Sequence, residues 1–217
     1  MNTTSASKGF ELFDKNVRKA FVDPLIENNP VTVQILGVCS SLAVTTQVKQ
    51  ALLMGVGVTL CTALGNVVLA AMRNWIPSSI RIIVQLAVIS VLVIVLDEVL
   101  KAYVFDLEKK LSVFIGLIIT NCILMGRAEA YAMGNPPWPS FVDGIGNGLG
   151  YAGVLLSVAT VREILGSGTW FGFTVVPQAA YDAGYINNGM MVLAPGAFVL
   201  LGLLIGAMRA YTGYRET

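Results

Sequence analysis

The chain has 217 residues, of which 55% are hydrophobic and 12% charged, and its formal net charge is +1. A soluble domain carries roughly twice that charge, so the composition excludes an ordinary soluble fold, and the near-neutral balance excludes a nucleic-acid surface. There is no His, which removes His-ligated haem, His-based zinc sites and His general-base chemistry.

Residues 1–9 read as a disordered lead without the apolar region of a secretory signal. Phe10, Phe13, Val17, Phe21 and Leu25 then recur at steps of three or four with Lys15, Arg18 and Lys19 between them. That pattern predicts a short amphipathic helix on a membrane surface. Uncharged blocks follow at 31–48, 51–72, 144–161 and 189–208. Two more apolar blocks, 80–100 and 111–125, carry charges near their ends. Blocks of this length predict membrane spans, six in all. With six spans, nine Lys and Arg fall on the side of both termini and five on the other. The termini are therefore expected in the cytoplasm.

The first and fourth spans are short. The apolar part of one runs from about Val31 to Val44, before Thr45, Thr46 and Gln47. The other runs from Val113 to Met125, before Gly126 and Arg127. Thirteen or so helical residues cover about 20 Å, against about 30 Å of hydrocarbon. Broken or half helices are the expectation, tolerated where protein covers their free backbone groups.

The two short spans resemble each other. Leu36-Gly37-Val38-Cys39 and Ile119-Thr120-Asn121-Cys122 place a Cys at similar depth. Gly55-Val56-Gly57 aligns with Gly144-Ile145-Gly146, and at the same offset Arg73 aligns with Arg162. Lys101-Ala102-Tyr103 echoes Arg209-Ala210-Tyr211. The expected fold is an all-α integral membrane protein of six helices in a 3+3 inverted repeat: a polar N-terminus at 1–28, one three-helix unit at 29–110 and a second at 111–217. Three helices per unit is odd, so the second copy enters from the opposite face. Helical rise from each end brings Cys39 and Cys122 toward the midplane.

A membrane Cys is commonly a small packing residue, and Cys61 is read that way. Cys39 and Cys122 occupy equivalent places in two related short spans, and they are the candidate metal ligands. A [2Fe–2S] cluster takes four thiolates, so a second protein must complete it. Zinc on this pair is the less attractive option, having no evident task at the midplane. The Gly144–Gly150 run is read as close helix packing, since no soluble βαβ unit surrounds it to make a nucleotide site. Asp97, Glu98, Arg127, Glu129, Asp143, Arg162 and Glu163 sit near span ends, where pairing is expected. No isolated acid stands at a span centre, so no sodium cage is expected within the chain.

These stretches, together with Arg81-Ile82-Ile83-Val84-Gln85, Gly126-Arg127-Ala128-Glu129-Ala130, Asp143 to Gly148 and Arg162-Glu163, resemble a family of bacterial membrane subunits. Its members are the D subunit of the sodium-translocating NADH:quinone oxidoreductase (Na+-NQR) and the homologous E subunit of the Rnf complex. The resemblance covers residues from about 23 to 210, and Arg81–Gln85 and Gly146-Asn147-Gly148 favour the former. It implies a non-autonomous subunit of the bacterial inner membrane that catalyses nothing alone. Cys39 and Cys122 would be its two ligands to a [2Fe–2S] cluster shared with a pseudo-symmetric E subunit. Electrons would pass from the FAD-bearing F subunit to FMN on the C subunit, coupled to sodium export, with the A and B subunits completing the complex. FAD, FMN, riboflavin and NADH would bind only to other subunits. A small inverted-repeat transporter and a purely structural subunit are the rival readings. The transporter is disfavoured by the lack of midplane acids and of a polar pocket, and both rivals predict dispensable cysteines.

Overall fold

The computed structural model describes residues 20–25, 28–103, 116–171, 173–174 and 189–212. Of the expected surface helix, residues 20–22 are helical and Asp23–Leu25 form a 3-10 turn; the rest lies outside the described residues, as does the 104–115 stretch.

Among the described residues, four helices are long and apolar enough to cross a membrane. They are α2 (Val48–Met72), α3 (Arg81–Tyr103), α5 (Pro137–Ser167) and α7 (Ala194–Thr212). Short helices precede them: α1 (Val38–Val44), α4 (Cys122–Arg127) and α6 (Gly189–Val192). The expected breaks in the first and fourth spans are present. Pro30 to Gln34 is turn and bend rather than helix. Asn29 caps a single turn there, its carboxamide oxygen accepting the N–H of Val31 at 3.0 Å and of Thr32 at 3.4 Å, and Ile35, in the left-handed region at φ 55°, ends it. Helical rise from Val31 therefore does not measure the depth of Cys39. In the fourth span, residues 116–119 are helical, the chain breaks at Thr120 and Asn121, and α4 begins at Cys122.

The 189–208 block departs from the single span expected. It breaks at Leu193 into α6 and α7. Pro195 has no N–H to return to Met191 four residues back, and the freed carbonyl accepts from Arg162 instead. A second departure from an all-α fold is a two-residue antiparallel ribbon, Thr169–Trp170 with Phe173–Thr174. It follows Gly168, whose left-handed φ of 64° ends α5.

Helices α2 and α5 form the centre. They run antiparallel in close contact, Gly55 facing Ala152, Thr59 facing Gly148 and Ala63 facing Gly144. Each step of four along one helix is a step of four back along the other. A Cβ on Gly148 would stand 2.6 Å from the Thr59 Cα, and one on Gly144 2.6 Å from the Ala63 Cα. The glycine run therefore packs helices, as its composition predicts. Small residues at this spacing let backbones approach where lipid supplies no hydrophobic drive. Around this pair the core gathers Val44, Val58, Cys61, Ile123, Tyr151 and Leu155, which places Cys61 in packing as expected. Helices α3 and α7 stand outside and present apolar side chains outward, including Ile83 and Leu203.

Candidate functional site

The two cysteine-bearing helices begin against each other. Gly37 precedes α1 with φ 77°, a left-handed conformation that favours glycine. A Cβ there would also lie 2.6 Å from Ile123 Cδ1 and 3.0 Å from Tyr151 Cε2. Its bare backbone N–H donates to Cys122 Sγ at 2.8 Å. Asn121 caps α4, its side-chain oxygen accepting the Ile123 N–H at 3.1 Å. The same carboxamide donates to Ser40 Oγ at 3.2 Å and to the Tyr151 hydroxyl at 3.5 Å. Cys39, second in α1, is exposed, and Cys122, first in α4, is partly buried. The structure thus joins the two motifs through Gly37, Ser40, Asn121 and Tyr151. Tyr151 is the residue that sequence reasoning misses. It is remote in sequence from both cysteines, and nothing in the 144–150 glycine run announces it.

Among the described residues no three His, Cys, Asp or Glu side chains converge on a common point. Cys39 and Cys122 are the thiols that the two joined motifs carry. The Gly37 N–H aimed at one sulfur is a ready donor to a metal-bound thiolate, and such donors tune a cluster.

The charged residues divide into two kinds. Arg127 pairs with Asp143, its Nε donating at 3.1 Å and its Nη2 closer still. Arg81 pairs with Glu129 at 2.7 Å, and Gln85 Nε2 donates to the same carboxylate at 2.6 Å. These fit the expected pairing. Glu129 lies on a π-helical turn, Ala128–Ala132, outside the four long helices. Arg81, and then Gln85, hold its carboxyl below the usual carboxylate range. A carboxyl lowered by folding adds stability above its unfolded pKa and loses it as pH falls through the folded value. Glu129→Gln is expected to cost below about 1 kcal/mol near neutral pH, as for exposed pairs. That cost vanishes on acidification, read from thermal midpoints of the purified complex across pH.

Arg162 and Glu163 depart from the expected pairing with charged partners. Both are buried. Arg162 Nε donates to the Met191 carbonyl at 2.9 Å, the group that Pro195 leaves free, and Nη2 donates to the Val192 carbonyl at 2.8 Å. Its Nη1 donates to Thr45 Oγ1 at 2.6 Å and to the Leu42 carbonyl at 3.3 Å. Glu163 Oε2 accepts the Val48 N–H at 2.6 Å, at the start of α2. One Arg thus closes the C-terminal ends of α1 and α6, and its neighbour closes the N-terminal end of α2. Orphaned helix-end groups are what such side chains satisfy.

The family described as "Rnf-Nqr subunit, membrane protein" matches residues 17–205, and the chain belongs to it. The chain is 58% identical over 193 residues to the D subunit of the Na(+)-translocating NADH-quinone reductase of Aeromonas hydrophila subsp. hydrophila, covering 89% of this chain and 92% of that protein. It is likewise 58% identical to the Aeromonas salmonicida protein of the same name, over the same shares. The corresponding D subunit of Proteus mirabilis is 54% identical over 195 residues, 90% of this chain and 93% of that one.

Proposed function

We propose that this chain serves as the D subunit of a Na(+)-translocating NADH-quinone reductase, a subunit of an enzyme complex, and that Cys39 and Cys122 supply half the ligands of a [2Fe–2S] cluster. The observation that carries the site is the 2.8 Å donation from Gly37 N–H to Cys122 Sγ, which ties the start of the Cys39 helix to the other sulfur. Two thiols at the adjoining starts of two helices suit half of a four-thiolate set. Cys39 is exposed, and a partner of the E type would bring the other two. When bound, such a cluster accepts and releases one electron at a time. This chain's part is to hold two sulfurs, aim a backbone N–H at one of them and exclude water with the apolar residues behind them. Electrons would come from the F subunit and go on to the C subunit, with the A and B subunits completing the assembly and sodium export coupled to the flow.

The proposed architecture is a 3+3 inverted repeat with six crossings in the bacterial inner membrane and both termini cytoplasmic. Short, long, long helices recur as α1, α2, α3 and α4, α5, α7. The offset that aligns Gly55 with Gly144 also maps the Gly55–Ala152 contact onto Ala63–Gly144 and leaves Thr59–Gly148 on itself. A pseudo-two-fold axis through Thr59 and Gly148 accounts for that pattern. The Lys and Arg bias supports the orientation.

The test is made in the assembled complex. Cys39→Ala and Cys122→Ala are each expected to abolish the EPR signal of the reduced cluster, lower the iron content and stop quinone reduction. Full signal and full turnover in either variant would sink the assignment.

A further inference from the structure

We infer that Tyr151 is a positioning residue for the sulfur pair, acting through Ser40 and Asn121; the inference rests on the reading of Cys39 and Cys122 as cluster ligands. The Tyr151 side chain is fully buried, and its hydroxyl lies 2.6 Å from Ser40 Oγ. Ser40 has one hydroxyl proton, and it goes to the Gly37 carbonyl at 3.0 Å. Ser40 Oγ must then accept from its other partners. It takes one N–H of Asn121 at 3.2 Å, and Tyr151 is therefore the donor across the 2.6 Å contact. The second N–H of Asn121 falls on the Tyr151 oxygen at 3.5 Å.

Counting protons closes the set. Tyr151 donates to Ser40, Ser40 donates to Gly37, and Asn121 donates to both hydroxyls. A fully satisfied buried network of this kind admits one arrangement of its members. Its members adjoin the sulfurs: Ser40 follows Cys39, Asn121 precedes Cys122, and Gly37 donates its own N–H to Cys122 Sγ. The aromatic ring lies against Gly37 as well. Tyr151 is the one member outside both cysteine motifs, so it fixes how the two short helices stand against each other. It also fixes how squarely the Gly37 N–H meets the sulfur. Hydrogen bonds to cluster sulfurs stabilise the more negative, reduced form and raise the potential. Loosening that bond lowers it.

The experiment is Tyr151→Phe in the purified complex, read by iron content and by an EPR-monitored redox titration. The Phe ring keeps the packing and removes one donor and one acceptor. The expected result is full iron with the midpoint potential shifted negative; loss of iron at normal subunit stoichiometry also supports the inference. An unchanged potential with full iron overturns it. Ser40→Ala is expected to reproduce the shift, and the double variant to shift no further than the larger single one; additive shifts overturn the inference. Should Tyr151→Phe fail to assemble, an unchanged potential in Ser40→Ala decides against it. If the cysteine variants keep their cluster, the ligand assignment falls. If they lose it while Tyr151→Phe and Ser40→Ala are silent, the positioning role alone falls.

Discussion

Arg162→Met is expected to destabilise the subunit by about 3 kcal/mol or more, because the buried Thr45 hydroxyl and several part-buried main-chain carbonyls each lose a charged donor at about 1–3 kcal/mol apiece. The guanidinium is almost wholly enclosed and serves Leu42, Thr45, Met191 and Val192. Removing a buried cation returns part of this, since its own desolvation is relieved. The freed carbonyls, however, keep no other donor of comparable strength at these helix ends. Arg162→Lys keeps the charge and loses the planar fork, so an intermediate loss is expected. The measurement is the thermal midpoint of the detergent-solubilised complex, together with retention of the subunit in it. A Met variant as stable as the parent would show that these hydrogen bonds contribute nothing net.

Gly144→Val is expected to be comparably severe for a different reason. A Cβ at Gly144 meets the Ala63 Cα at 2.6 Å, the Ala63 N at 2.9 Å and the Thr62 carbonyl at 3.0 Å. All three are main-chain atoms, so no rotamer change relieves the clash and α2 and α5 must separate. Overpacking of this kind costs about 1–3 kcal/mol or more, and lipid entering the opened seam does not restore its close van der Waals packing. Gly144→Ala is expected to cost about half as much. Gly202→Ala on α7 is the comparison, since a Cβ there meets nothing within 4 Å, and it is expected to be neutral. Thermal midpoints of the four proteins decide it. Equal midpoints for Gly144→Val and the parent would mean that the crossing is looser than these distances imply.

Much of the architecture is legible in residue order, and the reasons are local. Apolar blocks of 18 residues or more, uncharged or charged only near their ends, mark α2, α3 and α5 directly. The breaks beside Gly37 and Asn121 follow from polar and glycine residues in stretches too short to span. The 144–150 glycines announce close packing because nothing around them could form a nucleotide-binding turn. The break at Leu193 escapes a hydropathy reading, although Pro195 is its visible sign, because hydropathy averages over a single imino acid. The role of Arg162 and Glu163 escapes it because charge invites the expectation of a counter-charge. Their partners are main-chain groups of helices whose ends only the fold defines. For the site, repeated motifs single out Cys39 and Cys122. The Tyr151 hydroxyl cannot be found that way, since its partners lie 111 and 30 residues away and periodicity carries no information over such separations.

Helix α5 has 31 residues, about 46 Å end to end at 1.5 Å per residue. Standing upright it passes through both headgroup layers of a bilayer about 40–45 Å thick overall. Confining it to the hydrocarbon would take more lean than the 0–40° range of membrane helices allows. The seven residues of α1 and six of α4 reach only about 10 Å each. Thinning or thickening of the surrounding lipid is therefore borne by the long members, which can rock or emerge. The two short helices, tied to α5 through the Tyr151 hydroxyl, are spared that load.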